Sequence, residues 1–147
     1  MSLLARALVQ EAIEIRQRVQ SRSEAISIAG ELLVRSNRVE IEYVSSMIQA
    51  VEEFGPYIVI APGIALAHGK PSSFVIETGL SLLILQEPIE FKHSQNDPVQ
   101  LIFGLSAIDH SSHISLMAEL ADFLSNETKV NLLLNSANPQ SVRAILD

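Results

Sequence analysis

Apolar and polar positions follow two rhythms along this chain. Downstream of Ser21-Arg22-Ser23-Glu24, residues Ala25, Ile28, Ala29, Leu32 and Leu33 recur at three- and four-residue spacing, which marks one buried face of a helix. Ser21 and Glu24 stand where each side chain satisfies the other's free backbone amide, a capping box that starts that helix. Val44, Met47, Ile48 and Val51 repeat the helical spacing, and Phe54-Gly55-Pro56 ends it, because Gly and Pro stop helices. Ile13, Ile15 and Val19 sit at even spacing and predict a first strand. Residues 57–61, 64–67, 79–85 and 99–105 are short apolar runs bounded by Gly, Pro, Asn or Asp; such runs predict strands covered on both faces. After Ser111-Ser112 the period returns to 3.6, with His113, Met117, Leu120, Ala121 and Leu124 on one face. Short helices follow, the last opened by Asn138 with Pro139 in its first turn.

This alternation predicts an α/β fold: a single domain over residues 1–147, with a mixed central sheet flanked by helices. The strand order stays open at this level. No repeat, linker or low-complexity stretch divides the chain. Hydrophobic residues make up 48% and charged residues 18% of it, enough apolar material for a core. Mean hydropathy is high, +0.27, yet the longest apolar runs, such as 80–85, have strand length. None approaches the roughly 20 residues that span a bilayer. Residues 1–10 carry Arg6 but no long apolar segment and no cleavage pattern, so no signal peptide is expected. Cysteine is absent, which removes disulfides, thiolate metal sites and a cysteine nucleophile. Together these features point to the cytoplasm.

The formal net charge is −7. Nucleic-acid binding rests on Lys and Arg neutralising phosphates, and the chain has neither that surplus nor any Trp for a stacking platform. An acidic surface docks more readily on a basic protein partner.

Four histidines, at 68, 93, 110 and 113, are the candidate chemistry. His68 ends the apolar run 64–67 and is followed by Gly69. A titratable group where a buried strand meets a glycine turn belongs at a pocket mouth, and Gly69 leaves room for a partner's backbone or a phosphate. The plainer alternative is a histidine that only closes a strand. His113 falls in the first turn of a helix capped by Ser111 or Ser112, where the helix dipole disfavours imidazolium and favours a phosphate; alternatively it leads the apolar stripe at the core edge. His110, His113 and Asp109 bring nitrogen and carboxylate ligands together, but the spacing lacks the i, i+4 pair and following Glu of the helical zinc motif. His93 lies in the polar loop 90–98 and reads as a turn residue. A nucleotide-binding GxxxxGK[ST] loop and a GxSxG elbow are both missing.

Beyond these single residues, one long block is specific. Phe54-Gly55-Pro56-Tyr57-Ile58-Val59-Ile60-Ala61-Pro62-Gly63-Ile64-Ala65-Leu66-Ala67-His68-Gly69-Lys70-Pro71 resembles the active-site segment of the mannitol/fructose-type EIIA components of the sugar phosphotransferase system, and is most similar to the ascorbate-type subgroup. Thr78-Gly79-Leu80-Ser81-Leu82, Pro88-Ile89-Glu90-Phe91, the His93 to Val99 loop and Ala107-Ile108-Asp109 with His113 extend the resemblance over about residues 20–146.

The resemblance implies a mannitol/fructose EIIA-like fold and a phosphotransferase activity without cofactor or metal. It implies that His68 is the phosphorylated nucleophile and that His113 contacts the phosphoryl group. The implied donor is the phosphocarrier HPr and the implied acceptor is a cysteine of an EIIB component. The sugar, ascorbate-like by subgroup, would meet only the membrane EIIC component, which this chain serves indirectly. Transfer would need an apolar rim around His68, for which Ile64, Leu66, Phe74 and Ile108 are candidates. One position departs: Ala67 stands where the family usually has proline, so φ is not fixed there. That departure suits an alternative in which phosphorylation of an EIIA-like protein signals to a regulatory partner. A metal-dependent hydrolase built on His68, His110, His113 and Asp109 is the other rival.

Overall fold

The computed structural model describes residues 1–146. Its strands are β1 (Ile13–Arg16), β2 (Val59–Ala61), β3 (Ile64–His68), β4 (Gly79–Ile89) and β5 (Val99–Ser106); its helices are α1 (Leu3–Ala7), α2 (Arg22–Arg35), α3 (Glu42–Phe54), α4 (His110–Leu124), α5 (Glu127–Leu134) and α6 (Pro139–Ile145). The strands form one mixed sheet in the order β1-β4-β5-β3-β2. β3 pairs parallel with β5 and β1 parallel with β4, whereas β4–β5 and β2–β3 are antiparallel.

Side chains alternate across a strand, and here that parity sorts the core into two. Ile64 and Leu66 of β3, Leu101, Phe103 and Leu105 of β5, and Leu80, Leu82 and Ile84 of β4 pack under α1, α4, α5 and α6 with Leu4, Leu8, Leu116, Leu120, Phe123, Leu133 and Val142. Ala65, Ala67, Leu83, Leu85 and Ile102 face the other way, against α2 and α3 with Ala25, Ile26, Ala29, Leu33, Met47 and Val51. Coverage on both faces is why these strands read as unbroken apolar runs.

Half of the predicted capping box forms: the Ser21 hydroxyl accepts from the Glu24 N–H at 3.1 Å, but the Glu24 carboxylate accepts from the Gln20 N–H at 2.8 Å, one residue before the cap, and not from Ser21. α3 ends at Gly55, whose φ of +82° is left-handed. Asn138 caps α6 through the Ser141 N–H.

Several expectations shift. β1 ends at Arg16, because its ladder runs only from Leu82 to Leu85; Val19 reaches the α2–α3 core from the bend that enters α2. The run expected as a strand at 57–61 begins as a 3-10 turn, Pro56–Ile58, and only then extends. β4 continues past Leu85 to Ile89 along exposed positions. α4 starts two residues before Ser112: Asp109 is its cap, accepting from the Ser112 N–H at 2.7 Å, in place of Ser111 or Ser112. Its core face is Leu116, Leu120 and Phe123, so the predicted stripe is rotated and Ala121 is exposed. Leu116, Leu120 and Phe123 join the core that also holds Leu66 of β3 and Phe103 of β5, while Met117 and Leu124 pack only partly against it. The short α1 was not signalled by periodicity; it is too brief to show one.

Candidate functional site

His68 is the last residue of β3 and shares the parity of Ile64 and Leu66, so it emerges on the side of the sheet covered by α4. α4 begins just past the end of β5, the strand beside β3. These two facts bring His68 and His113 together: their ring centroids lie 5.7 Å apart with planes at 73°. Parallel β3 and β5 both end here, the position at which open α/β sheets bind ligands.

The two histidines line a cavity of about 350 Å³ with Tyr43, Ala50, Phe54, Tyr57, Gly69, Lys70, Pro71, Ala107, Asp109 and His110. Tyr57 stands edge-on to His68 at 6.0 Å between centroids, and Phe54 edge-on to Tyr57 at 6.1 Å. Both aromatic rings are largely exposed. They form an apolar wall on one side of the imidazole, with Lys70, His110 and His113 supplying polar groups around the basin.

The His68 ring is oriented by its own strand. Nδ1 lies 3.4 Å from the Leu66 carbonyl oxygen, and Nε2 has no hydrogen-bond partner among the described residues. A proton on Nδ1 donates to that carbonyl and leaves Nε2 with a free lone pair. Burial holds the His68 pKa below the ordinary imidazole value; the Leu66 carbonyl opposes this, and the neighbouring His113 adds to it. The ring is therefore neutral near pH 7, the state a nucleophile needs.

The backbone beyond His68 is held from α3. The Tyr43 hydroxyl accepts from the Gly69 N–H at 2.9 Å and donates to the Leu105 carbonyl at 3.0 Å. The Ser46 hydroxyl accepts from the Lys70 N–H at 3.3 Å. Gly69 is required by this approach: a Cβ there would run into Ser46 Oγ and press on the Tyr43 ring. Its missing side chain makes room for α3, and the residue also lines the basin beside His68.

Of the sequence candidates, His68 and His113 meet, and Asp109 and His110 line the same basin. Among the described residues no three His, Cys, Asp or Glu side chains are arranged to hold a metal ion. The Asp109 carboxylate is engaged as the α4 cap, and the Ser112 amide and hydroxyl hold its pKa below the ordinary carboxylate value. His93 lies in the loop that leads into the opposite end of β5, where Nδ1 accepts from the Gln95 and Asn96 N–H groups at 3.2 and 3.0 Å, a turn role. The expected rim is corrected. Ile64 and Leu66 are buried in the core, because even positions of β3 point under α4. Phe74 and Ile108 are exposed but do not line the basin; Phe54 and Tyr57 do. Tyr43 was missed, although a tyrosine leading the apolar face of α3 signals a buried hydroxyl in need of a partner.

Among the described residues no helix is long and apolar enough to cross a membrane. Residues 7–147 match the family described as the phosphoenolpyruvate-dependent sugar phosphotransferase system, EIIA 2. The ascorbate-specific EIIA component of Escherichia coli K12 is 34% identical over 138 residues, 93% of this chain and 90% of that one. The solution structure of the mannitol-specific cryptic enzyme IIA CmtB from Escherichia coli superposes with a TM-score of 0.86 at 27% identity, covering 97% of each chain. The Escherichia coli mannitol enzyme IIA, solved in complex with phosphorylated enzyme IIB, gives 0.82 at 28% identity over 92% of this chain and 94% of that one. With its mixed five-stranded sheet and match over residues 7–147, this chain belongs to the type 2 EIIA components of the phosphoenolpyruvate-dependent sugar phosphotransferase system.

Proposed function

We propose that the chain is a cytoplasmic phosphocarrier, one domain over residues 1–147, that accepts a phosphoryl group on His68 Nε2 from phospho-HPr and passes it to a cysteine of an EIIB component. The observation that carries this reading is the setting of the His68 ring: Nδ1 lies 3.4 Å from the Leu66 carbonyl, Nε2 is unpartnered among the described residues, and burial holds the pKa below the ordinary imidazole value.

In the first step the Nε2 lone pair attacks phosphorus on the donor's phosphohistidine. The Nε2–P bond forms as the donor's N–P bond breaks, and the donor imidazole leaves with that electron pair. The His68 Nδ1–H stays on the Leu66 carbonyl and spreads the positive charge arriving on the ring. Phosphoryl transfer needs positioning and charge stabilisation more than covalent help. His113, 5.7 Å away between ring centroids, and Lys70 on the basin wall stabilise the equatorial oxygens. In the second step an EIIB thiolate attacks phosphorus; the S–P bond forms as the Nε2–P bond breaks, the electron pair returns to Nε2, and His68 is neutral again with its proton on Nδ1. Phe54 and Tyr57 provide the apolar wall against which a partner excludes water. The complex of the mannitol enzyme IIA with phosphorylated IIB supports EIIB as partner. The ascorbate-specific relative supports an ascorbate-like sugar acid as the cargo handled further along.

The test is phosphorylation with labelled phosphoenolpyruvate, Enzyme I and HPr, on wild type and His68→Ala. An acid-labile, alkali-stable label on wild type alone, chased onto an added EIIB, is the expected result. Label without a chase would favour the regulatory alternative. No label, with a control EIIA active in the same tube, would overturn the carrier reading.

A further inference from the structure

We infer that Tyr43 is a positioning residue for His68: its buried hydroxyl, shared between the Gly69 N–H and the Leu105 carbonyl, fixes the end of β3 so that the imidazole keeps one tautomer. The inference rests on the carrier role proposed for His68, but its structural half can be tested without it.

The geometry isolates one hydroxyl with two tasks. His68 and Leu105 are ladder partners where β3 and β5 end. Gly69, the next residue, has left the ladder, so its amide lacks a strand partner. Tyr43 reaches it from α3 at 2.9 Å and ties the same hydroxyl to Leu105 O at 3.0 Å. Only 2% of Tyr43 is exposed, so its hydroxyl depends on these protein partners for its hydrogen bonds. Burial raises the Tyr43 pKa, and the Gly69 bond opposes this only in part; the phenol therefore stays protonated and keeps its donor.

The consequence reaches His68 through one peptide. The bond from Nδ1 to Leu66 O is long, 3.4 Å, and a small rotation of the 68–69 peptide would break it. Neighbouring Ala67 adds no ring to restrain the backbone. Without the Tyr43 hydroxyl, the half-buried Gly69 amide and the Leu105 carbonyl lose the tie between them at the wall of the basin. The chain end then moves to find water, and the Nδ1–H and Nε2–H tautomers of His68 mix.

The experiment compares Tyr43→Phe with Ser81→Ala. The first keeps the ring and removes the hydroxyl. The second removes another buried hydroxyl, one that donates to Ala29 O at 2.6 Å in the α2–β4 interface and does not line the basin. Nitrogen-15 NMR of the imidazole reads the tautomer directly and needs no donor protein. Wild type should show Nδ1–H predominating; Tyr43→Phe should show a mixture, with faster exchange of the Gly69 amide. Phosphoryl uptake from HPr should fall about tenfold at saturating donor with KM unchanged, while Ser81→Ala keeps the wild-type tautomer and rate. A wild-type tautomer in folded Tyr43→Phe would overturn the inference, as would the same tautomer change in Ser81→Ala. Should wild type take no label, the carrier reading fails while the NMR comparison still decides the role of Tyr43.

Discussion

His68 and His113 face each other across the basin with ring planes at 73° and centroids 5.7 Å apart, although 45 positions separate them in the chain. The contact joins the end of a buried strand to the first turn of α4. If His113 stabilises the phosphoryl oxygens, His113→Ala lowers the initial rate of uptake from phospho-HPr by about 10²-fold, as loss of one preorganised donor does. The residual label stays on His68. Quench-flow rates with wild type and His113→Ala check this; equal rates would remove His113 from the transfer step.

The depressed His68 pKa makes a pH prediction with a fixed sign. Unfolded, the ring protonates near about 6.5; folded, it resists protonation because it is buried and stands beside His113. As pH falls through that window the unfolded state binds a proton that the native state refuses, so stability declines toward acid. The contribution is fully present above about pH 6.5 and is lost as pH falls through the folded pKa. The denaturant midpoint should drop more between pH 7.5 and 5.5 for wild type than for His68→Gln. Parallel slopes would show that His68 is no more reluctant to charge than an exposed imidazole.

Close approach of α3 makes Gly69 intolerant. A methyl group there meets Ser46 Oγ and the Tyr43 ring. Gly69→Ala should cost about 1–3 kcal/mol in equilibrium unfolding, as overpacking does. Adding Ser46→Ala should restore part of that loss by removing the atom struck first. A double variant no more stable than Gly69→Ala alone would mean the strain lies in the backbone and not in this contact.

Leu66 and Tyr57 separate core from rim. Leu66 is 1% exposed and Tyr57 48%. Leu66→Ala should destabilise the fold by about 2–5 kcal/mol. Tyr57→Ala should leave the melting midpoint within a degree or two. If the aromatic wall receives a partner, Tyr57→Ala should also weaken EIIB binding by about tenfold in titration calorimetry. A destabilised Tyr57→Ala with unchanged binding would reverse that assignment.

Neighbouring residues alone carry the helical faces of α2 and α3, the buried strands β3, β4 and β5, the caps at Ser21 and Asn138 and the special position of His68, whereas the run at 57–61 forms a 3-10 turn and a partly exposed edge strand. The local signals are a period of 3.6, an unbroken apolar run, a cap and its partner three positions on. The strand order and the pairing of His68 with His113 were decided by tertiary structure, because they depend on which strand lies beside which. So were the start of α4 and its buried stripe. Asp109 serves as cap in place of Ser111 and Ser112 just past the end of β5, and Leu116, Leu120 and Phe123 are the α4 residues that enter the shared core. Parity along β3 buried Ile64 and Leu66 beneath α4 and turned Gly69 toward α3. Local pattern fixes how a segment folds; what a side chain meets across the sheet is a property of the packed layers, and it is there that Tyr43 reaches the backbone beside His68.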